Sequence, residues 1–232
     1  MRLSHILVAI VTLFASLTVA GQEEKRNPIK FNYGIKAGVQ GVTYNSTDFA
    51  IEGYIFNDNT IQSDKVGFFV APFVRFTKGE FYLQTEAAAG ITYQNYDFIE
   101  TENTTGFLPN TSEYQLKTYC IKVPLLVGYN FISYPNYGMS VYTGPRAKFT
   151  FTSASEQDFS HFKYEDLYED LNKLELYWEI GLGIRIYNVI IDFTYDWNFH
   201  RSKSKIYSPA DNLVFDSKRS NNVLSFSAGF IF

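Results

Sequence analysis

The chain has 232 residues, a formal net charge of −4, 18% aromatic residues and a single cysteine, Cys120. The mild negative charge argues against a nucleic-acid partner, and one thiol excludes both an internal disulfide framework and a multi-cysteine metal site. The 22 Phe and 18 Tyr exceed what a soluble core requires, yet no stretch after residue 20 is long and apolar enough to be a transmembrane helix.

The N-terminus reads as a secretory signal peptide over residues 1–20. Arg2 and His5 precede an apolar run from Ile6 to Leu17, and Thr18-Val19-Ala20 places small residues before a cut at Gly21. No cysteine follows that run, so no lipoprotein anchor is expected. Residues 21–30 then form a short periplasmic segment, and residues 31–232 a single all-β domain.

That domain contains eight stretches alternating apolar and polar side chains, the signature of strands with two different faces. The first spans Phe31–Tyr44, with Tyr33, Ile35, Ala37 and Val39 on one face and Lys36 and Gln40 on the other. The second, Val66–Thr77, turns Phe68, Val70, Val74 and Phe76 one way and Arg75 the other. The third, Glu80–Tyr96, opposes Phe81, Leu83, Ala89, Ile91 and Tyr93 to Glu80, Tyr82, Gln84, Glu86, Thr92 and Gln94. The fourth, Gln115–Phe131, carries Lys122 inward, with Cys120 in the same phase as a packing residue. The fifth, Gly138–Thr152, carries Tyr142, Arg146 and Lys148 inward. The sixth, Leu174–Ile186, does so with Glu175, Tyr177, Glu179 and Arg185, and the seventh, Val189–Phe199, with Asp192, Thr194, Asp196 and Asn198. The eighth, Asn222–Phe232, aligns Leu224, Phe226, Ala228, Phe230 and Phe232 on one face.

Each stretch reaches the roughly 9–11 residues that a tilted strand needs to cross a bilayer. Large aromatics (Tyr33, Phe76, Tyr93, Tyr129, Phe151, Trp178, Trp197, Phe232) sit near the ends of the apolar faces, as interfacial girdles do. The connections alternate. Asn45–Lys65, Asp97–Tyr114, Ser153–Lys173 and His200–Asn221 are long and polar; Lys78-Gly79, Ile132–Tyr137 and Tyr187-Asn188 are short. The expected fold is therefore an eight-stranded antiparallel up-and-down transmembrane β-barrel in the outer membrane, with long extracellular loops and short periplasmic turns.

An eight-stranded barrel has an interior just wide enough for side chains to fill. Lys36, Arg75, Lys122, Arg146, Lys148 and Arg185 are balanced there by Glu80, Glu86, Glu175, Glu179, Asp192 and Asp196. Unpaired charge in such a lumen is costly, so these residues are expected to pair as a structural plug; the alternative is a polar ion path. No G-x-S-x-G, H-E-x-x-H or phosphate-loop motif is present, and no catalytic residue, cofactor or metal is assigned. The weaker candidates are a rim set of His200, Ser202 or Ser204, and Asp196 or Asp211 for lipid-modifying chemistry; His161 in mid-loop; and the acidic pairs Glu165-Asp166 and Glu169-Asp170, whose spacing is not that of a calcium loop. Leu167, Leu171 and Leu174 are spaced for a short surface helix over Tyr164–Leu174. The aromatics Phe49, Tyr54, Phe56, Phe107, Phe159, Phe162, Tyr207 and Phe215 mark the long loops, either packed on the barrel rim or offered to a partner.

Several stretches resemble the PorT family of Bacteroidetes outer-membrane barrels: Tyr33-Gly34-Ile35-Lys36-Ala37-Gly38-Val39, Phe81-Tyr82-Leu83-Gln84-Thr85-Glu86, Ile121-Lys122-Val123-Pro124-Leu125-Leu126-Val127, and Val141-Tyr142-Thr143-Gly144-Pro145. Gly181-Leu182-Gly183 and the closing Phe226–Phe232 fit as well; Thr85 and Gln40-Gly41 depart from the family pattern. The resemblance implies an eight-stranded barrel, and its founding member is linked to protein secretion. Fold does not fix function, so that role does not transfer with the resemblance, and no catalytic residues come with the family; the expected partners are outer-membrane lipid and envelope or secretion-machine proteins.

Overall fold

The computed structural model describes residues 28–49, 51, 54–56, 66–100, 111–164, 166–199, 202–211 and 213–232. The expected signal peptide and His200 lie outside them.

Strands β1 (Lys30–Phe49), β3 (Val66–Lys78), β4 (Phe81–Glu86) continued by β5 (Ala88–Glu100), β6 (Thr111–Ser133), β7 (Tyr137–Thr150), β10 (Leu174–Ile186), β11 (Val189–Asn198) and β13 (Leu213–Ile231) form one antiparallel sheet. The short strands β2 (Tyr54–Phe56), β8 (Glu156–Ser160), β9 (Tyr168–Asp170) and β12 (Ser202–Ser208) extend it at one end. β1 pairs with β3 on one side and with β13 on the other, Ala37 standing opposite both Val70 and Ala228, so the sheet closes into a ring of eight staves. Closure satisfies every edge, the condition for crossing lipid with strands.

The alternation sorts side chains as the sequence dictates. On β11 the lipid side carries Phe193, Tyr195 and Trp197, and the lumen side Asp192, Thr194 and Asp196. Two aromatic belts bound the apolar surface. Phe31–Phe76 (ring centroids 5.1 Å apart), Tyr33–Phe232 (5.8 Å) and Phe81–Tyr129 (5.1 Å) pack at the end where β1 begins and β13 ends; Trp178–Phe199 (6.0 Å) and Trp197–Phe199 (5.7 Å) pack at the other. The tight turn between β3 and β4 needs Gly79, whose φ is 62°.

The third predicted strand is broken at Ala87. Pro72 stands opposite on β3 and has no N–H for the ladder; Ala87 instead donates its own N–H to the Pro72 carbonyl at 3.1 Å.

The long connections differ most from expectation. Much of what reads as loop is sheet continuing above the membrane. The His200–Asn221 connection holds β12 hairpinned onto β13, with Ile206 opposite Phe215, and β8 lies along the outer half of β6. The helix expected over Tyr164–Leu174 is not formed. Tyr168 and Asp170 face out while Glu169 and Leu171 face in, a period of two that makes β9 a strand on β12. Leu174 instead opens β10 and is exposed on the outside of the barrel.

This extension has its own apolar core of Ile51, Tyr54, Tyr96, Phe98, Tyr114, Leu116, Leu171, Ile206 and Phe215, with Phe159 and Phe162 packed against it. Tyr114 stacks on Phe159 with centroids 4.0 Å apart and on Tyr96 at 5.4 Å.

Candidate functional site

The lumen is layered. Above the short turns lies a cavity; over it sits a cluster of buried charges, then a layer of amides and hydroxyls, then the apolar core of the extension.

Six of the twelve lumen charges read from the sequence form the cluster. Lys36 Nζ lies 2.7 Å from Glu86 and 3.1 Å from Asp192. Arg146 is the second hub, with Nη1 2.7 Å from Asp196 and Nη2 2.6 Å from Glu179 and 3.3 Å from Glu86. Glu86 thus bridges the two cations. It comes from β4, Lys36 from β1, Arg146 from β7, Glu179 from β10, and Asp192 and Asp196 from β11, so one network ties five staves together. Glu179 is fully buried and meets Arg146 as an ion pair without an aligned hydrogen bond.

The other six take different roles. Lys148 pairs with Glu175 at 2.6 Å, higher in the barrel, and Tyr177 donates to the same carboxylate at 3.2 Å. Lys122 has no carboxylate partner among the described residues; it donates to Gln40, which in turn donates to Thr92 at 2.9 Å. Arg75 donates from Nε to Gln84 at 2.7 Å and lies 4.2 Å over the Tyr82 ring. Arg185, near the end of its strand, turns to the periplasmic rim and donates to the carbonyls of Tyr134 (2.9 Å), Pro135 and Tyr187 (both 3.3 Å). Glu80, expected inward, is exposed in the β3–β4 turn. The balanced set of six against six therefore does not pair one to one. Alternation fixes the face of a residue but not its height, and these charges stand at different heights in a tilted ring.

Tyr82 and Tyr142 fill the lumen around Leu126, on a side where the wall is stripped to glycine. A Cβ on Gly128 would lie 2.0 Å from the Tyr82 ring, and one on Gly181 2.3 Å from that of Tyr142. The outer core holds one polar centre, Glu169, which accepts from Tyr114 at 2.7 Å and from Ser204, while its N–H donates to Gln157 at 2.7 Å. In the sequence Glu169 reads only as half of the acidic pair Glu169-Asp170; its alternation with Tyr168 and Asp170 is the signal of its inward face.

The rim set is not assembled among the described residues. Asp196 is bound to Arg146, Asp211 accepts from Ser208 at 2.8 Å, and Ser204 is committed to Glu169. His161 is exposed with φ 64°. No three His, Cys, Asp or Glu side chains converge on a metal-binding geometry among the described residues. Cys120 is buried and free.

A closed antiparallel barrel with a lipid-facing apolar belt, aromatic girdles and a polar interior defines an outer-membrane β-barrel protein. The chain belongs to the family described as outer membrane protein beta-barrel domain, whose model matches residues 20–204. The fold is similar to OprG from Pseudomonas aeruginosa, 12% identical, with 90% of this chain and 99% of that one covered and a TM-score of 0.57. Also similar are Ail of Yersinia pestis (12% identical, 88% and 99% covered, TM-score 0.33) and the outer membrane protease OmpT from Escherichia coli (10% identical, 91% and 99% covered, TM-score 0.39). No curated protein sequence matches the chain.

Proposed function

We propose that the chain is a non-enzymatic, non-conducting scaffold of the outer membrane whose outer β-extension is a binding module for envelope proteins. The observation that supports this reading is the sealing of the lumen twice over, by the Lys36–Glu86–Arg146 ion cluster and by the apolar core around Phe98 and Tyr114. A barrel filled in this way leaves its outer surface as the part able to engage something else, and a rigid scaffold holding shaped segments is the usual arrangement for binding. The inward packing of Tyr54, Phe159, Phe162 and Phe215 gives that surface a fixed shape. The stacked Tyr168–Tyr207 pair, 5.2 Å apart on β9 and β12, stands on its outer side. The resemblance to PorT-type barrels adds a role beside a secretion or envelope-assembly machine, after export by a cleaved signal peptide.

The test is capture of the complex from native outer membranes, with a photo-crosslinking residue at Tyr168 or Tyr207. A defined adduct with one envelope protein, lost when the crosslinker moves to the lipid face at Leu182, is the expected result. Recovery of the uncrosslinked barrel alone from every outer position contradicts the binding-module reading. An altered lipid A mass profile in a deletion strain would instead favour lipid-modifying chemistry.

A further inference from the structure

We propose that the periplasmic end of the lumen is a binding site for a small organic anion, anchored by Arg75. A cavity of about 910 Å³ opens there, lined among others by Asn32, Arg75, Glu80, Asn130, Ser140 and Arg185. That is within the size range of small-molecule sites. It is blind: the Lys36–Glu86–Arg146 cluster closes it from above, so a ligand enters and leaves by the periplasm.

Arg75 is what makes the cavity a site. The residue is 8% exposed, yet no carboxylate among the described residues pairs with it, in contrast to Lys36 and Arg146 higher up. Its Nε is spent on Gln84, and its plane is fixed between the rings of Tyr82 at 4.2 Å and Phe73 at 5.8 Å. Its two terminal nitrogens have no hydrogen-bond partner among the described residues and are not sealed from the cavity. A buried cation held in one orientation with its outer edge free lacks an anion. The guanidinium edge suits two coplanar oxygens, as in a carboxylate, or a phosphate group of similar reach.

The other charges of the cavity favour the same sign of ligand. Asp192 is already bound to Lys36 at 3.1 Å, and Arg185 adds a second cation whose partners are carbonyls alone. Glu80, the other acidic side chain of the lining, is exposed at the rim. Asn32 and Asn130, whose amide nitrogens donate to the Phe232 and Glu80 carbonyls at 3.1 Å, and Ser140, which accepts from Tyr82 at 3.2 Å, add neutral polar groups to the lining.

The experiment uses the full chain folded in lipid nanodiscs, titrated in low-chloride buffer with succinate and, separately, inorganic phosphate, and followed by calorimetry. Saturable binding of either probe, weakened at least about tenfold in R75Q, is expected. Binding of succinate alone assigns a carboxylate ligand, and binding of phosphate alone a phosphorylated one. R75Q must retain heat-modifiable mobility; if it does not fold, protection of Arg75 from phenylglyoxal in the wild-type chain is read by mass spectrometry. Absence of saturation by both probes, equal affinity in folded R75Q, or unchanged Arg75 modification in the presence of the probes overturns the proposal.

Discussion

Arg146 on β7 and Asp196 on β11 meet at 2.7 Å inside the barrel although β10 lies between their strands. Gly144 stands opposite Glu179 on β10, and a Cβ there would lie 2.0 Å from the Leu125 carbonyl oxygen. Arg146 holds three carboxylates from three staves, Glu86, Glu179 and Asp196. Replacing it by Met strands Glu179 and Asp196 and leaves Glu86 with Lys36 alone. R146M is expected to lose about 3–5 kcal/mol of stability, the cost of leaving buried charge uncompensated, and R146K less than that. Urea unfolding in lipid vesicles, followed by tryptophan fluorescence, measures both.

Lys36 and Glu86 provide the matching test from the other hub. K36M leaves Glu86 and Asp192 without their shared cation. Adding E86Q should recover part of the loss, giving a coupling energy of roughly 0.5–3 kcal/mol in a double-mutant cycle. Strict additivity of the two single losses would mean that their 2.7 Å contact carries no energy.

The Tyr82 ring lies where a side chain on Gly128 would be, 2.0 Å from a Cβ placed there. G128A is expected to displace the ring and cost about 1–3 kcal/mol, as overpacking does. Gly41 is the control, since a Cβ there meets nothing within 4 Å; G41A should be close to neutral in the same unfolding assay.

Phe98 is fully buried in the outer core. F98A should cost about 3–5 kcal/mol, lost from the extension while the ring below keeps its pairing. Protease added to intact cells is expected to cut the outer segments faster in F98A than in wild type, with heat-modifiable gel mobility unchanged. Equal cleavage rates would show that the extension is not held by this core.

Lipid exposure is tested at Leu182, which is 53% exposed midway along β10 between Trp178 and Ile186. L182R should destabilise the barrel by about 2–4 kcal/mol in bilayers, the depth-dependent cost of a cation on the lipid face. The same substitution at the exposed rim residue Tyr168 should cost little.

The strand faces were legible from alternation alone, because period two is imposed by the backbone whatever the partners are. Lys36, Glu86, Arg146, Glu179, Asp192 and Asp196 were readable as inward for that reason. Which of them touch was not readable, since contact depends on stagger between strands. Hence Arg185, on the inward face, ends at the rim on carbonyls, and Lys122 settles on Gln40. The outer extension was the least legible part. Polar, turn-rich composition reads as loop, while β12 and β8 become strands because β13 and β6 extend past the lipid-facing belt and offer edges to pair with, and β9 then pairs with β12. Glu169 was hidden for the same reason: the partners that allow its burial, Tyr114 and Ser204, come from distant segments.

Planar-bilayer recording of the purified full chain tests most directly whether the lumen is closed. A barrel plugged by Lys36, Glu86 and Arg146 and capped by the Phe98–Tyr114 core should insert without conductance steps, while a porin in the same membranes gives them. Stable, ohmic steps from the wild-type chain would contradict a sealed lumen.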